Sequence, residues 1–358
     1  MLAVTKREKE GWLRTEDREN FPSPCQLTPR LVRFSDSLKI INNIKFAPLY
    51  WAKLVVGLSV VSRETLINLQ KNSHKMIQKI LLAVSGLGHA EEMMKNLKEL
   101  PSIQSAKVTV LHVVPSQSTA AAMTEKWEEG GKILANAIQS LNFDPSQVSS
   151  ILRQGDPKDV VCQVADEIGV DLIVMGSRGL KRLESILSNS VSQYVFQLSS
   201  RPMLLVKDDI YVKRIKRVMV AVDGSSSSSQ CLQLALFLLS GVESGQLILT
   251  SVNTDLGGKT SGITDIKPER NSVLGNAVAT AESRGIPVRC VTSSGKPGEE
   301  ICRLAQELNA DLLLLGSPDR RPSIAKSFVD LDRLLGSSLS DYVRVNATCP
   351  VLLARTVS

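Results

Sequence analysis

The chain has 358 residues, which is too long for one domain of ordinary size and suits two. Hydrophobic residues make up 43% and charged residues 22%, a globular balance that excludes a disordered chain, a coiled coil and a collagen. The net charge of +7 is concentrated in residues 1–75, which carry 13 Lys and Arg against 7 Asp and Glu, whereas residues 76–358 carry 30 against 29. This balanced body argues against a nucleic-acid partner, because nucleic-acid binding depends on clustered cations.

Residues 1–75 are predicted to form a poorly ordered N-terminal extension with no counterpart elsewhere in the chain. Charge begins at Lys6 and no apolar core follows it, so the pattern of a signal peptide is absent. The most apolar stretch, 47–61, is shorter than the roughly 20 residues that span a membrane, and it contains Lys53. We therefore expect no membrane association, and we hypothesise that Met76 is an alternative translation start.

From Met76 onward, short apolar runs alternate with segments of helical length. The strands predicted in the first half are 79–84, 107–114, 148–153, 171–176 and 202–206. Those predicted in the second half are 217–222, 246–252, 287–291, 311–316 and 350–354. Helices are predicted between them, for example at 119–141 and 158–168. Such alternation favours an α/β fold in which each half is a doubly wound domain with a five-stranded parallel sheet.

The two halves are copies of one another. Residues 155–177 and 295–317 are identical at nine of 23 positions, and the segment 188–206 matches 336–354. Repetition of this kind is the signature of a duplicated structural unit. The predicted domains are copy one at 76–208 and copy two at 209–358, with an inserted loop at 318–335.

A candidate phosphate site follows the fourth predicted strand of copy one. Gly176 and Gly179 let the backbone turn tightly, and ligands of such sheets bind beyond the carboxyl ends of the strands. The next helix opens with Asn189, Ser190, Val191 and Ser192. Amides at a helix N-terminus attract phosphate, and the serine hydroxyls add donors. The alternative is that the glycines only shape a turn and Ser190 is only a helix cap.

These residues carry a resemblance to a known family. The repeat resembles the universal stress protein domain, and the chain from Met76 onward looks like a tandem member of that family. Nucleotide-binding members carry G-x2-G-x9-G-[ST] after the fourth strand. In copy one Gly176, Gly179 and Ser190 match this pattern, and Asn189 replaces the third glycine.

Copy two departs further from the family pattern. Gly316 and Ser317 match, but Asp319 stands at the second glycine and Ser337 at the third. Nucleotide-binding members also use an aspartate at the end of the first strand to contact the nucleoside. Copy two has Asp223 at that position, whereas copy one has Ser85.

The resemblance implies that copy one binds an adenine nucleotide, ATP or ADP, and that copy two is altered or regulatory. The cofactor-binding residues expected in copy one are Ser85, Val113, Gly176, Ser177, Arg178, Gly179, Asn189, Ser190, Val191 and Ser192. Arg178 would neutralise phosphate charge, and the backbone near Ser85 and Val113 would border the adenine. The corresponding residues of copy two are Asp223, Gly316, Ser317, Ser337 and Ser338.

The sequence supports neither a metal site nor a catalytic site. The six cysteines form no C-x-x-C pair, and only three histidines are present. No Ser/His/Asp set or paired carboxylates stand in a recognisable motif, so we expect no enzyme activity. Scattered thiols are typical of reducing conditions, which predicts a cytoplasmic protein.

The resemblance implies a stress-response regulator that binds nucleotide without strong catalysis. The alternative is a protein-interaction module of the stress response that binds no nucleotide. In single-domain relatives the last strands pair across a dimer, so by resemblance 202–206 and 350–354 would pair within this chain as an internal pseudo-dimer. Exposed edges of the sheet favour a further homodimer.

Three other patterns are interpreted without a ligand-binding role. GGKT at 257–260 resembles the end of a P-loop, but Asn253 stands where that motif requires glycine. RRPS at 320–323 is a hypothetical kinase site in the inserted loop. His89 is interpreted as a solvated residue at a helix start, and the serines at 225–229 as a helix N-cap region.

Overall fold

The computed structural model describes residues 76–86, 89–177, 190–254, 264–265, 272–317 and 338–354. These residues belong to one compact unit, Ser62–Ser358. Predictions that lie outside the described residues concern the extension 1–75, Arg178, Gly179, Asn189, Asp319, Ser337, the inserted loop at 318–335 and the motifs at 257–260 and 320–323.

Each copy alternates strands with helices, as the apolar pattern predicts. Copy one contains β1 (Lys79–Ala83), α1 (His89–Lys98), β2 (Lys107–Val114), α2 (Ala120–Leu141), β3 (Val148–Gln154), α3 (Pro157–Ile168), β4 (Leu172–Ser177), α4 (Val191–Leu198) and β5 (Met203–Lys207). Copy two contains β6 (Arg217–Ala221), α5 (Ser226–Leu239), β7 (Gln246–Asn253), β8 (Thr264–Asp265), α6 (Ser272–Glu282), β9 (Val288–Ser294), α7 (Pro297–Glu307), β10 (Leu312–Gly316), α8 (Leu339–Asn346) and β11 (Val351–Ala354).

Local sequence sets the ends of the helices, as α3 illustrates. The Asp156 carboxylate accepts a hydrogen bond of 2.9 Å from the Lys158 amide, which satisfies one free donor of the first turn. Pro157 occupies the first turn, where its missing N–H costs nothing. Gly169 ends the helix at a φ of +62°, a conformation that glycine adopts without strain.

The strands form one sheet of eleven in the order β3-β2-β1-β4-β5-β11-β10-β6-β7-β9-β8. Within each copy the five predicted strands are parallel, which confirms the predicted fold class. The two-residue β8 pairs antiparallel with β9 and was not predicted, because two residues are too few to show a periodic pattern. The Asp265 carboxylate holds it there by accepting two bonds, of 2.8 and 3.1 Å, from Arg289.

The two copies join edge to edge through their last strands. β5 and β11 are antiparallel, with Leu204 opposite Leu352 and Met203 opposite Leu353. These side chains are fully buried, so apolar contact reinforces the hydrogen-bonded ladder. The predicted pairing of these strands within the chain is confirmed, and it removes one exposed edge from each copy.

A hydrophobic core covers each face of the sheet. Alternate strand residues point to opposite faces, so Leu82 packs with Leu97 of α1 on one side and Leu81 packs near Val164 of α3 on the other. Helices α1, α2, α5 and α6 cover the first face, and α3, α4, α7 and α8 cover the second. Among the residues that the structure describes, no helix combines the length and apolar character needed to cross a membrane.

Candidate functional site

The topology of copy one opens a crevice where two neighbouring strands end. β1 lies between β2 and β4, and the helix that follows β1 packs on the opposite face from the helix that precedes β4. The chain therefore diverges at the carboxyl ends of β1 and β4, which is where open α/β sheets bind ligands. A cavity of about 450 Å³ lies at this point.

The fold brings most of the predicted copy-one residues around this cavity. Its lining includes Ser85, Val113, Gly176, Ser177, Ser190, Val191 and Ser192. They come from four separate segments of the chain, and the order of the strands in the sheet brings these segments together. Their role in binding stays a prediction.

The N-terminus of α4 lies at the cavity, and its Ser190 side chain does not cap the helix. Ser190 occupies the N-cap position, but its side chain makes no capping bond, and its Oγ lies 2.8 Å from the Oγ of Ser192. The first-turn amides of a helix have no partner within the helix, and its dipole is positive at this end. Ser190 therefore stands at the N-cap position, as the alternative interpretation has it, but its side chain makes no capping bond, and an anion site at this helix start stays a prediction.

Gly176 leaves open space beside these donors. A Cβ placed on Gly176 would meet no atom of another described residue within 4 Å, its chain neighbours aside. Gly176 pairs with Val206 of β5, so its backbone is fixed by the sheet while the volume above it belongs to the cavity.

The end of β2 forms the neighbouring wall. β1 pairs with β2 only as far as Leu111, whose carbonyl accepts a bond of 2.9 Å from the Val84 amide. Val113 lies two residues further along β2, so its amide and carbonyl point to the same side, where β1 has ended. The Nδ1 atom of His112 lies 2.9 Å from the Val84 carbonyl and fixes the point at which β1 leaves the sheet. Main-chain donor and acceptor groups of Val113 therefore border the cavity.

Several lining residues escaped the sequence analysis. The first turn of α1 contributes His89, which was interpreted as a solvated residue, and Glu91, which is only 6% exposed. α2 contributes Gly130 together with Lys126 and Glu129, which form a 2.6 Å ion pair. The hydrogen bond between these two exposed side chains raises the pKa of Lys126 and lowers that of Glu129. The available signal was the Gly-Gly pair at 130–131 inside a predicted helix, where glycine is unfavourable unless another element approaches closely.

At the end of β10, copy two packs its own backbone closely against a glycine. A Cβ placed on Gly316, the counterpart of Gly176, would lie 2.8 Å from the carbonyl carbon of Ser227 and from the amide nitrogen of Ser228. The first turn of α5 therefore sits directly against the end of β10. The Gly316 and Ser317 positions that the sequence predicts for cofactor binding are close-packed, and Ser317 is buried.

The last helix of copy two also differs from its counterpart. The Ser338 hydroxyl accepts a bond of 3.2 Å from the Asp341 amide and caps α8, and Asp341 is itself buried. Burial lowers the pKa of Arg344, whose guanidinium lies 3.7 Å from the Asp341 carboxylate. Copy two thus places a carboxylate where copy one presents uncapped amides.

Asp223 lies at the end of the first strand of copy two, as predicted, but its carboxylate is engaged locally. It accepts a bond of 2.9 Å from the Ser225 amide. Burial acts to raise the pKa of Asp223, but hydrogen bonds from Ser225 and Ser228 outweigh it, and the pKa lies below its ordinary value. The predicted helix cap in the serine run is confirmed, because Ser225 caps α5 and accepts a bond from the Ser228 amide.

Thiol and metal chemistry have no visible centre in the described part of the chain. No disulfide joins its five cysteines, Cys162, Cys231, Cys290, Cys302 and Cys349. Burial raises the pKa of both Cys231 and Cys349 to about 12, which makes these thiols unreactive. Over the same residues, no group of three or more His, Cys, Asp or Glu side chains is arranged to hold a metal ion.

Comparison with known proteins identifies the family. Universal stress protein YxiE of Bacillus subtilis is 32% identical over 148 residues, which are 37% of this chain and all of that protein. Universal stress protein MJ0577 of Methanocaldococcus jannaschii is 27% identical over 155 residues, which are 37% of this chain and 96% of that protein. A crystal structure of a universal stress protein from Archaeoglobus fulgidus shares the fold with a TM-score of 0.59 and 23% identity, covering 79% of this chain and 97% of that one.

The family model for the universal stress protein family matches twice, over residues 76–207 and 214–355. These two stretches coincide with the two halves of the eleven-stranded sheet. The chain therefore belongs to the universal stress protein family and carries two of its domains in tandem.

Proposed function

We propose that this protein is a nucleotide-binding regulator of the stress response that holds one ATP or ADP in the cavity of copy one. The observation that carries the proposal is the uncapped N-terminus of α4, which faces a cavity of about 450 Å³. Pockets for small ligands have volumes of roughly 300–1,000 Å³, and the volume of this cavity lies in that range, as a nucleotide site requires. Occupancy would change the surface that copy one offers to protein partners in a reducing cytoplasm.

The phosphates would lie against α4. The amides of Val191 and Ser192 and the hydroxyl of Ser190 are donors around one point, and the helix dipole favours negative charge there. Gly176 leaves the adjoining volume free for the phosphate chain. Arg178 and Gly179 follow directly in the sequence and are proposed to complete this end of the site.

The adenine would lie against the end of β2. The amide and carbonyl of Val113 offer a donor and an acceptor side by side, and adenine presents the complementary pair on its edge. The apolar side chains of Leu111, Ile133 and Val161 line the same space and would pack against the base. Hydrogen bonds to main-chain groups would select the base without a charged side chain.

We propose binding without strong catalysis. General acid-base chemistry needs a titratable group within hydrogen-bond reach of the reacting phosphate. The donors proposed to hold the phosphates are the amides of α4 and the hydroxyls of Ser190 and Ser192, and we assign no catalytic role to Asp208, which lines the same cavity after β5. Such donors stabilise the bound nucleotide and leave it intact.

Copy two is proposed to remain without nucleotide. Its space is filled where Ser227 and Ser228 meet Gly316, and Asp341 would repel phosphate at the N-terminus of α8. Its role would be to extend the sheet through β11 and to present a surface that does not respond to nucleotide.

Isothermal titration of the full chain with ATP tests the proposal. We expect one ATP per chain, and we expect Gly176→Leu to abolish binding because its side chain would fill the cavity. Gly176→Ala is the matched control, since its Cβ meets no described residue beyond its chain neighbours within 4 Å and should leave both the melting temperature and most of the affinity unchanged. Absence of ATP binding by the unmodified chain would contradict the proposal and favour an interaction module that binds no nucleotide.

A further inference from the structure

Glu91 is a buried acidic residue that the proposed phosphate and adenine contacts do not use. It lies in the first turn of α1, is 6% exposed and lines the cavity of copy one. Its carboxylate makes no hydrogen bond or ion pair with any residue that the structure describes. Among the described residues, the carboxylate therefore keeps its capacity to accept hydrogen bonds from a ligand in the cavity.

Glu91 and the N-terminus of α4 form opposite walls of the cavity. Helix α1 packs on one face of the sheet and α4 on the other, and both begin at the carboxyl edge. One wall therefore offers donors to an anion and the other offers an acceptor. A ligand that fills the space must combine a negatively charged end with a neutral part that carries hydrogen-bond donors.

The two copies place an acidic residue at different positions of the segment that joins the first strand to the first helix. Gly86 and Gly224 follow the first strand of each copy with nearly equal φ angles of +85° and +82°, which fixes the alignment. Copy one then has Ser85 before its glycine and Glu91 five residues after it, whereas copy two has Asp223 before its glycine and serine at the later position. The acid and the serine have exchanged places.

We infer that Glu91 binds the ribose hydroxyl groups of the nucleotide and supplies the carboxylate that Ser85 lacks. The inference rests on the proposed function, because it assigns a part of the same ligand. Lys126 of the neighbouring helix α2 also lines the cavity but is already paired with Glu129, so a neutral donor suits Glu91 better than a charged one. Two vicinal hydroxyls match the two oxygens of a carboxylate.

The test compares ATP with 2′,3′-dideoxy-ATP, which lacks both hydroxyls, as ligands of the full chain. The unmodified protein should bind ATP at least about tenfold more tightly, since a hydrogen bond to a charged group contributes that much or more. Glu91→Gln should reduce this preference to about twofold or less. The ratio is the readout because removal of a negative charge also changes the affinity for phosphate itself.

Glu92→Gln is the matched control, because it removes the same charge from the next residue of α1, which does not line the cavity. It should retain the full preference for ATP. Equal binding of both nucleotides by the unmodified protein, or an unchanged preference in Glu91→Gln, would overturn the ribose assignment while leaving nucleotide binding intact. If Glu91→Gln lost the preference for ATP only when Mg²⁺ is present, Glu91 would be a ligand of the cation and the ribose assignment would be overturned. Absence of ATP binding by the unmodified protein would overturn the proposed function as well.

Discussion

Ser338 and Asp341 hold each other at the N-terminus of α8. The Ser338 hydroxyl accepts a bond of 3.2 Å from the Asp341 amide and lies 2.7 Å from the Asp341 carboxylate, to which it donates. The equivalent serine of copy one, Ser190, makes no such bond with its helix. One duplicated helix start is therefore closed by its own side chains, and the other is open to a ligand.

This contrast predicts the effect of transferring the carboxylate to copy one. Alignment on Tyr194 and Tyr342 makes Gln193 the counterpart of Asp341. We expect Gln193→Asp to lower ATP affinity by about tenfold, because a negative charge in the first turn of α4 would repel the nearby phosphate and solvent would screen that repulsion only in part. Thermal stability should be unchanged or slightly higher, since an acidic residue suits a helix N-terminus.

Gln193→Asn is the control for that experiment, because it has the shape of aspartate without the charge. It should bind ATP nearly as the unmodified chain does, as measured by the same titration. Equal losses in both variants would show that side-chain size matters at this position and that charge does not.

The low pKa of Asp223 predicts a pH dependence of stability. Its ordinary pKa is 3.8, and hydrogen bonds from Ser225 and Ser228 lower it in the folded state against the opposing effect of burial. The carboxylate therefore stabilises the fold at pH values above about 3.8, and this contribution is lost as the pH falls through the folded-state pKa. We expect Asp223→Asn to be less stable at neutral pH and the two urea midpoints to converge in acid.

Convergence of the two unfolding curves is the measurement that matters, because the absolute difference is small for a side chain exposed to solvent. A difference that stayed constant from neutral pH to about pH 3 would show that the turn after β6 does not depend on the charge of Asp223.

Much of this architecture follows from the sequence because it depends on local patterns repeated twice. The end of the fourth predicted strand places Gly176 at the carboxyl edge of the sheet, and the family resemblance adds Ser85 and Val113 to the same site before any contact is known. The internal pairing of β5 with β11 follows from the family resemblance, because related domains pair these strands across a dimer.

The walls contributed by helices could not be predicted in the same way. Glu91 looks like an acidic residue placed to favour a helix start, and only the packing of α1 turns it into the cavity. The filling of copy two is equally hidden, because it depends on how closely Ser227 approaches Gly316 and not on the type of either residue. Sequence patterns report which surface of an element is buried, but not the distance between two elements.

The glycine pair in α2 gives a prediction about that distance. A Cβ on Gly130 would lie 2.9 Å from Cγ2 of Val114, 3.0 Å from Cδ2 of His112 and 3.1 Å from Cδ1 of Leu152. Gly130→Ala should therefore push α2 away from β2 and lower the free energy of unfolding by about 1–3 kcal/mol, the usual cost of overpacking. Because His112 and Val114 border the cavity, ATP affinity should fall as well.

Gly131→Ala, one position along the same helix, should have the opposite effect on stability. Its Cβ would meet none of the described residues within 4 Å apart from its own helix backbone and chain neighbours, and alanine in a helix interior is favoured over glycine by roughly 0.5–1 kcal/mol. Urea unfolding of the two variants measures both changes, and ATP titration should show normal affinity for Gly131→Ala only. If both substitutions stabilised the protein, α2 would have to lie further from β2 than the close approach at Gly130 indicates. The cavity wall formed by α2 would then be further from His112 and Val114 than described above.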